Sequence, residues 1–421
     1  MRGMSHVHVY PDAPGPARPS RRAVTVSAVL GAFLVASGAD VAAARTASAD
    51  ILLRLPAPTG PHPVGLTTWY LVDRSRRDPW DGTIPVRELV ATVFYPARGV
   101  RRHPPAPQLA PVAAAVFGAL APYQHPGLPV AGVDWAATMT HAHQDAPAAP
   151  ARRPVLLHSP GGGDPRGFGA GLAQDLASHG FVVVTVDHPG DALVVEFPGT
   201  TEYRGDVVRT TAFREDPRSN PATFDTMIST RIADLRFVLD QVEVLAGGGN
   251  PDATGRALPT GLARAVDPRR VGVYGHSAGG TAVAQATYDD RRMDAAIDLE
   301  GYLDHPGERP GEPGRLFPVA EYGVNRPLLL WGTDGFPDRA GMERSWQPML
   351  AHPGGWTRRR ELRDAAHWAF TDFAAFAPQL QAAGLMTADA RTALVGAIEP
   401  ARSVPTVRTG VREFFACHLG T

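Results

Sequence analysis

Val271-Gly272-Val273-Tyr274-Gly275-His276-Ser277-Ala278-Gly279-Gly280 carries more information than any other run of this chain. Four residues of β character lead straight into Gly-His-Ser-Ala-Gly, and a helical run, Thr281 to Tyr288, follows at once. Strand, sharp turn and helix form the setting that a G-x-S-x-G nucleophile elbow requires. Ser277 is lifted clear of the strand ends by a strained turn. Gly275 and Gly279 flank it because a side chain at either place would strike the neighbouring strand or helix. The same turn aims the helix N-terminus, and the N–H of Ala278, at the place where an acyl oxyanion would develop.

Working outward, the elbow lies inside a regular β/α alternation. Upstream, the strand Val155–His158 runs into a glycine-rich loop, Pro160-Gly161-Gly162-Gly163, and a helix to Ser178 closed by Gly180. Phe181–Asp187 is a fully apolar strand, as expected inside a parallel sheet. An amphipathic helix over Thr223–Val244 carries Ile228, Ile232, Leu235 and Leu239 on one face. Downstream come strands over Ala295–Leu299, Pro327–Trp331 and Arg359–Leu362, then helices over Asp372–Ala383 and Val407–Leu419. The alternation predicts an α/β fold, a mostly parallel central sheet with helices on both faces. Two further strands, Leu66–Val72 and Arg87–Tyr95, are joined by a charged turn and predict an antiparallel N-terminal edge.

Residues 101–152 break the pattern. This Pro/Ala-rich insertion reads either as a lid over a site or as a packed decoration. Its His141-Ala142-His143 with Asp145 is too sparse to predict a metal site. Residues 50–421 thus form a single predicted domain behind an N-terminal export signal at 1–49. There Arg21-Arg22 precedes about fourteen mostly apolar residues, Ala23 to Ala36, too few to span a bilayer comfortably. Ala47-Ser48-Ala49 then offers a cleavage site before Asp50. Ser20-Arg21-Arg22 resembles a twin-arginine signal, with Val24 where that motif usually has Phe. The prediction is a secreted protein. A formal charge of −1 gives no electrostatic reason to expect nucleic acid as a partner. The one cysteine, Cys417, excludes an intrachain disulfide and reads as a packed residue of the last helix.

A serine nucleophile needs a base, and the base needs an acid to fix its tautomer. In elbow proteins the chain order is serine, acid, histidine. After Ser277 the histidines are His305, His352, His367 and His418. Of these, only His367 lies in the loop after the last strand, where such a sheet needs its base. Two aspartates close strands on the required side: Asp298 in Ala295-Ala296-Ile297-Asp298, and Asp334 in Trp331-Gly332-Thr333-Asp334. Asp338 is a weaker third. The glycine-rich loop suits backbone N–H donors facing a cavity, and it matches neither phosphate-binding pattern.

These residues are also where the chain resembles a known family, the plasma-type (group VII) platelet-activating-factor acetylhydrolases. The similarity is carried by Ser159 to Asp187, including Asp175-Leu176-Ala177-Ser178-His179-Gly180-Phe181. The Gly-His-Ser-Ala-Gly-Gly elbow and His367-Trp368-Ala369-Phe370-Thr371-Asp372-Phe373 complete it. It extends from about Leu55 to the C-terminus, with the insertion least alike. The resemblance implies the α/β-hydrolase fold and a serine esterase that needs no metal and no cofactor. It further implies short or oxidised sn-2 acyl groups of phospholipids as substrate, with transient contact at a lipid surface. It places the acid at the end of the strand directly after the elbow helix, Asp298, and the oxyanion donors at the backbone of Gly161 and Ala278. Related lipases and cutinase-like polyesterases put the acid one strand later, which corresponds to Asp334.

Overall fold

The computed structural model describes residues 50–309 and 312–420, so the export segment predicted at 1–49 lies outside the described residues. The strands of the main sheet are β1 (Val64–Asp73), β2 (Arg87–Pro96), β3 (Pro105–Pro107), β4 (Met139–Gln144), β5 (Arg153–Ser159) and β6 (Val182–Asp187). They continue with β7 (Val266–His276), β8 (Ala295–Leu299), β9 (Leu328–Thr333) and β10 (Thr357–Leu362). Across the sheet the order is β10-β9-β8-β7-β5-β6-β2-β1-β4-β3. Every neighbouring pair from β10 to β6 is parallel. β2 joins β6 antiparallel, and β1 joins β2 antiparallel with Val64 opposite Pro96.

The antiparallel pair is present but is not the edge. The 101–152 segment adds β4 alongside β1 in parallel, and β3 closes the sheet. Pro105 and Pro107 lack the N–H that an inner strand must donate, so they suit an outermost strand. The rest of that segment is helix α1 (Pro111–Gln124), which buries Phe117.

The other main helices are α2 (Ala170–Ser178), α3 (Pro221–Ala246), α4 (Ala278–Asp289), α5 (Arg339–Ala351), α6 (Phe373–Ala382), α7 (Ala388–Val395) and α8 (Pro400–Leu419). Side chains alternate across a strand, and the sheet uses this to feed two cores. Leu156, Tyr274, Ile297 and Trp331 point into one core with Leu176, Phe373, Phe376 and Phe415. Val155, Leu157, Val271 and Val273 point into the other with Ile228, Leu235, Val283 and Trp346. Helices therefore cover both faces, as the β/α alternation predicts. Cys417 departs from expectation and is exposed. In α8 the inward positions two residues either side belong to Phe415 and Leu419, which turns the thiol outward.

Candidate active site

β7 ends at His276, α4 begins at Ala278, and Ser277 between them has φ 55° and ψ −122°. That is a strained backbone for a residue with a Cβ, of the kind found at functional turns. Two contacts hold it: Ser277 N–H donates to the Leu299 carbonyl at 2.9 Å, and Thr281 N–H donates to the Ser277 carbonyl at 3.1 Å. The glycines are sterically required. A Cβ on Gly275 would collide with the Gly279 backbone, one on Gly279 with the Ser159 carbonyl, and one on Gly280 with the Asp298 carboxylate. Helix α4 starts three residues earlier than its sequence pattern suggests, which makes Ala278 its first residue and leaves that N–H without a helical acceptor.

His367 lies in the loop after β10, and its Nδ1 is 2.7 Å from Glu300 Oε2. This corrects the expected acid. Neither Asp298 nor Asp334 touches the histidine; Glu300, the first residue beyond β8, does. Its other oxygen, Oε1, accepts from Thr333 N–H and from Thr333 Oγ1 at 2.7 Å, so the carboxylate is held at both ends. Asp298 lies two residues before Glu300, still inside β8. It is fully buried, its Oδ1 accepts the Gly301 N–H at 2.6 Å, and its Oδ2 has no partner among the described residues. Burial, with the neighbouring Glu300 charge, pushes its pKa well above the ordinary carboxylate value. An enclosed carboxyl with a raised pKa and no contact with the histidine is badly placed to compensate an imidazolium. Asp334 holds backbone instead: its oxygens accept the N–H groups of Asp364 (3.0 Å) and Ala365 (3.1 Å), the root of the loop that carries His367. Partial desolvation would raise its pKa, but those two donors outweigh it and the net shift is downward. Asp338, the third candidate, caps α5 through Gly341 N–H.

His276 supports the base from behind. Its Nε2 lies 2.9 Å from the His367 carbonyl, so that nitrogen carries the proton, and the two rings are 4.4 Å apart. Burial, and secondarily the neighbouring His367, keeps His276 well below its usual pKa and neutral. With Nδ1–H directed to Glu300, His367 keeps Nε2 as its proton acceptor, and Ser277 Oγ makes no hydrogen bond among the described residues. Around His367 stand the half-buried rings of Phe336 and Trp368, each at 5.0 Å. Phe370, three residues after His367, is buried against Trp331 in the core.

The glycine-rich loop lies beside the elbow. Gly162 is the residue nearest Ala278: a Cβ placed there would be 3.6 Å from the Ala278 methyl, whereas one on Gly161 would face Asp164 and His276. Among the described residues, neither the Gly161 nor the Gly162 N–H donates to any group. His141 and His143 do not form a pair of free ligands; each has a ring nitrogen on a backbone carbonyl, Leu55 and His103 respectively.

A parallel sheet with a strained serine after its central strand, and a carboxylate-bound histidine after its last, defines an α/β-hydrolase. The family described as platelet-activating factor acetylhydrolase, isoform II, matches residues 133–308, which include the elbow and Glu300. A probable 1-alkyl-2-acetylglycerophosphocholine esterase of Arthroderma benhamiae is 29% identical over 383 residues, spanning 87% of this chain and 88% of that protein. A solved structure, a ferulic acid esterase from Streptomyces cinnamoneus, aligns with TM-score 0.65 at 32% identity, covering 87% of this chain and 93% of its own. The chain is an α/β-hydrolase and a carboxylic ester hydrolase, and its sequence is similar to the platelet-activating-factor acetylhydrolases.

Proposed function

We propose that the protein is an exported serine esterase that removes short acyl groups, acetyl above all, from phospholipids and simple esters. The observation that carries this reading is the convergence of Ser277, His367 and Glu300 at the C-terminal ends of adjoining strands. His367 Nε2 takes the Ser277 proton as Oγ attacks the ester carbonyl, and Glu300 balances the imidazolium. The N–H groups of Ala278 and of the Gly161–Gly162 loop receive the oxyanion. His367 then protonates the leaving alcohol, and a water activated by the same nitrogen hydrolyses the acyl-enzyme. No step calls for a metal or a cofactor. A second reading, an aromatic acyl ester of the feruloyl type, is favoured by the Phe336 and Trp368 rings flanking the base. The polyesterase reading with Asp334 as acid loses support, since that carboxylate is occupied by backbone. Export rests on the signal-like residues 1–49.

The test is fluorophosphonate labelling of enzyme recovered from culture medium, followed by mapping of the adduct and of the N-terminus. The label is expected on Ser277 and the mature chain is expected to begin near Asp50. Ser277→Ala and His367→Ala should each lose about 10³-fold or more in kcat. Either variant keeping a tenth of wild-type activity would sink the assignment.

A further inference from the structure

Arg231 projects from α3 beneath the loop Ser159–Asp164 and is fully buried. A guanidinium has five N–H donors in a fixed fork, and here each has an acceptor. Nε and Nη2 hold the two oxygens of Asp191 at 2.6 and 2.8 Å. Nη1 donates to Ser159 Oγ at 3.1 Å and to the Pro160 carbonyl at 2.5 Å, and Nη2 also donates to the Gly161 carbonyl at 2.9 Å. Asp191 Oδ1 in turn accepts the Gly163 N–H at 2.9 Å. One ion pair therefore binds residues 159, 160, 161 and 163 of a loop that glycine leaves intrinsically free to choose other conformations.

We propose that Arg231, braced by Asp191, is the positioning residue of the oxyanion hole. The reasoning is peptide geometry. All peptide bonds among the described residues are trans, and a trans peptide points its C=O and its N–H to opposite sides. Drawing the Pro160 and Gly161 carbonyls onto Arg231 turns the N–H groups of Gly161 and Gly162 to the opposite side of the loop. Those are the two N–H groups with no acceptor, and Gly162 is the residue beside Ala278. Without the guanidinium, the Pro160 carbonyl would lose its only donor among the described residues and the Gly161 carbonyl would keep just the Asp164 N–H at 3.1 Å, leaving both N–H groups less firmly directed. The proposal rests on the serine-esterase reading of this site, since it assigns the donors that such a reaction requires.

Arg231→Lys keeps the charge and loses the fork. Three quantities are read on the purified full chain: kcat and KM for p-nitrophenyl acetate, Ki for a methyl trifluoromethyl ketone whose serine adduct carries the oxyanion, and the melting curve. The expected result is a fall in kcat of roughly 10- to 100-fold with KM within about threefold, and a rise in Ki matching the fall in kcat. If the folded variant keeps kcat within about twofold, or loses kcat without the matching change in Ki, the ion pair only stabilises the fold and the proposal is overturned. Should Arg231→Lys fail to fold, Asp191→Asn carries the same test, because it loosens the guanidinium while the amide Oδ1 keeps an acceptor for the Gly163 N–H. Ser277→Ala measured alongside separates the two ideas. An active Ser277→Ala overturns the serine-esterase reading itself, whereas an inactive one beside an unaffected Arg231→Lys overturns only the positioning role.

Discussion

Glu300 has φ 65°, a left-handed backbone that a glutamate adopts only when its surroundings impose it. The imposing contact is Asp298 Oδ1 on the N–H of Gly301, which bends the chain directly after β8 and swings Glu300 toward His367. Two neighbouring acids thus do different things, and two conservative variants separate them. Glu300→Gln leaves His367 without a charge partner and should lower kcat by about 10³- to 10⁴-fold, the scale seen when a triad acid is neutralised. Asp298→Asn replaces a buried carboxyl whose pKa burial pushes up and keeps an acceptor for Gly301. It should stay within about tenfold of wild type, since at most one hydrogen bond of about 1 kcal/mol is altered. Steady-state kinetics on both variants decide the matter, and the reverse ranking would restore Asp298 as the acid. At this scale the sequence shows the nucleophile and the base because each follows a recognisable strand. It hides the acid for a physical reason: Asp298 is still within the strand, where its side chain is enclosed, and the first residue able to reach across the strand ends is two positions later. Glu300-Gly301 immediately past an apolar strand is the signal that points to it.

Helix α2 shows how an element can depend on a proton. Asp372 precedes α6 but caps the start of α2 instead, accepting the Gly171 N–H at 3.0 Å and Gln108 Nε2 at 2.9 Å. Burial pushes its pKa up to about 7, against the pull of the Gly171 N–H and of Arg408. The folded chain therefore holds a proton that the unfolded chain, with an ordinary value of about 3.9, has released. Stability contributed by this group is full at pH below the unfolded value and declines as pH rises toward 7, the sign opposite to a salt-bridged aspartate. Over the two units from pH 5 to 7 the loss is on the order of 2–3 kcal/mol. Asp372→Asn removes the titration, so denaturant melts at pH 5 and pH 7 should differ less for the variant than for wild type. Equal differences would show that Asp372 is ionised in the folded state. Helices such as α3 are legible in the sequence through the periodicity of Ile228, Leu235 and Leu239, but Arg231 and Asp234 on the same helix are as buried as those residues. Charged residues default to solvent in any reading of a pattern, and only the loop and strands packed on α3 reveal that both are enclosed. β3 and β4 escape a reading of the pattern because β3 is three residues with two prolines at the sheet edge and β4, Met139–Gln144, is mostly polar.

Across the whole molecule, five of the six parallel strands deliver one part of the site each at their C-terminal ends. The glycine-rich loop follows β5, Ser277 follows β7, Glu300 follows β8, Thr333 closes β9 and His367 follows β10. The β/α alternation encodes this arrangement, which is why the fold is legible from the chain alone. The insertion is not, since its composition fits a lid and a decoration equally well. In the structure it does contribute a wall: Gln124 Nε2 donates to the Gly162 carbonyl at 3.2 Å, and the His125 ring packs on Trp368 at 5.1 Å. On the opposite side Phe336 packs on Tyr302, whose hydroxyl is fixed by Asp338 at 2.9 Å. Rings thus flank the base on two sides, and under the proposed function a short acyl group, or a flat one that stacks, would lie between them. Each methylene that finds no apolar contact forfeits about 0.8 kcal/mol, close to fourfold in kcat/KM. Activity should therefore fall gradually across the first few carbons and steeply once the space is full. In a series of p-nitrophenyl esters, acetate and butyrate should be cleaved with higher kcat/KM than laurate, and a 2-acetyl ether phospholipid should be a substrate. Trp368→Ala removes one wall and should shift the optimum toward longer chains. Methyl ferulate in the same series tests the aromatic alternative, because turnover above that of acetate would assign the rings to stacking an aryl acyl group. Laurate outrunning acetate in the wild-type enzyme would mean that the acyl chain leaves by another route, and the short-acyl reading would fail.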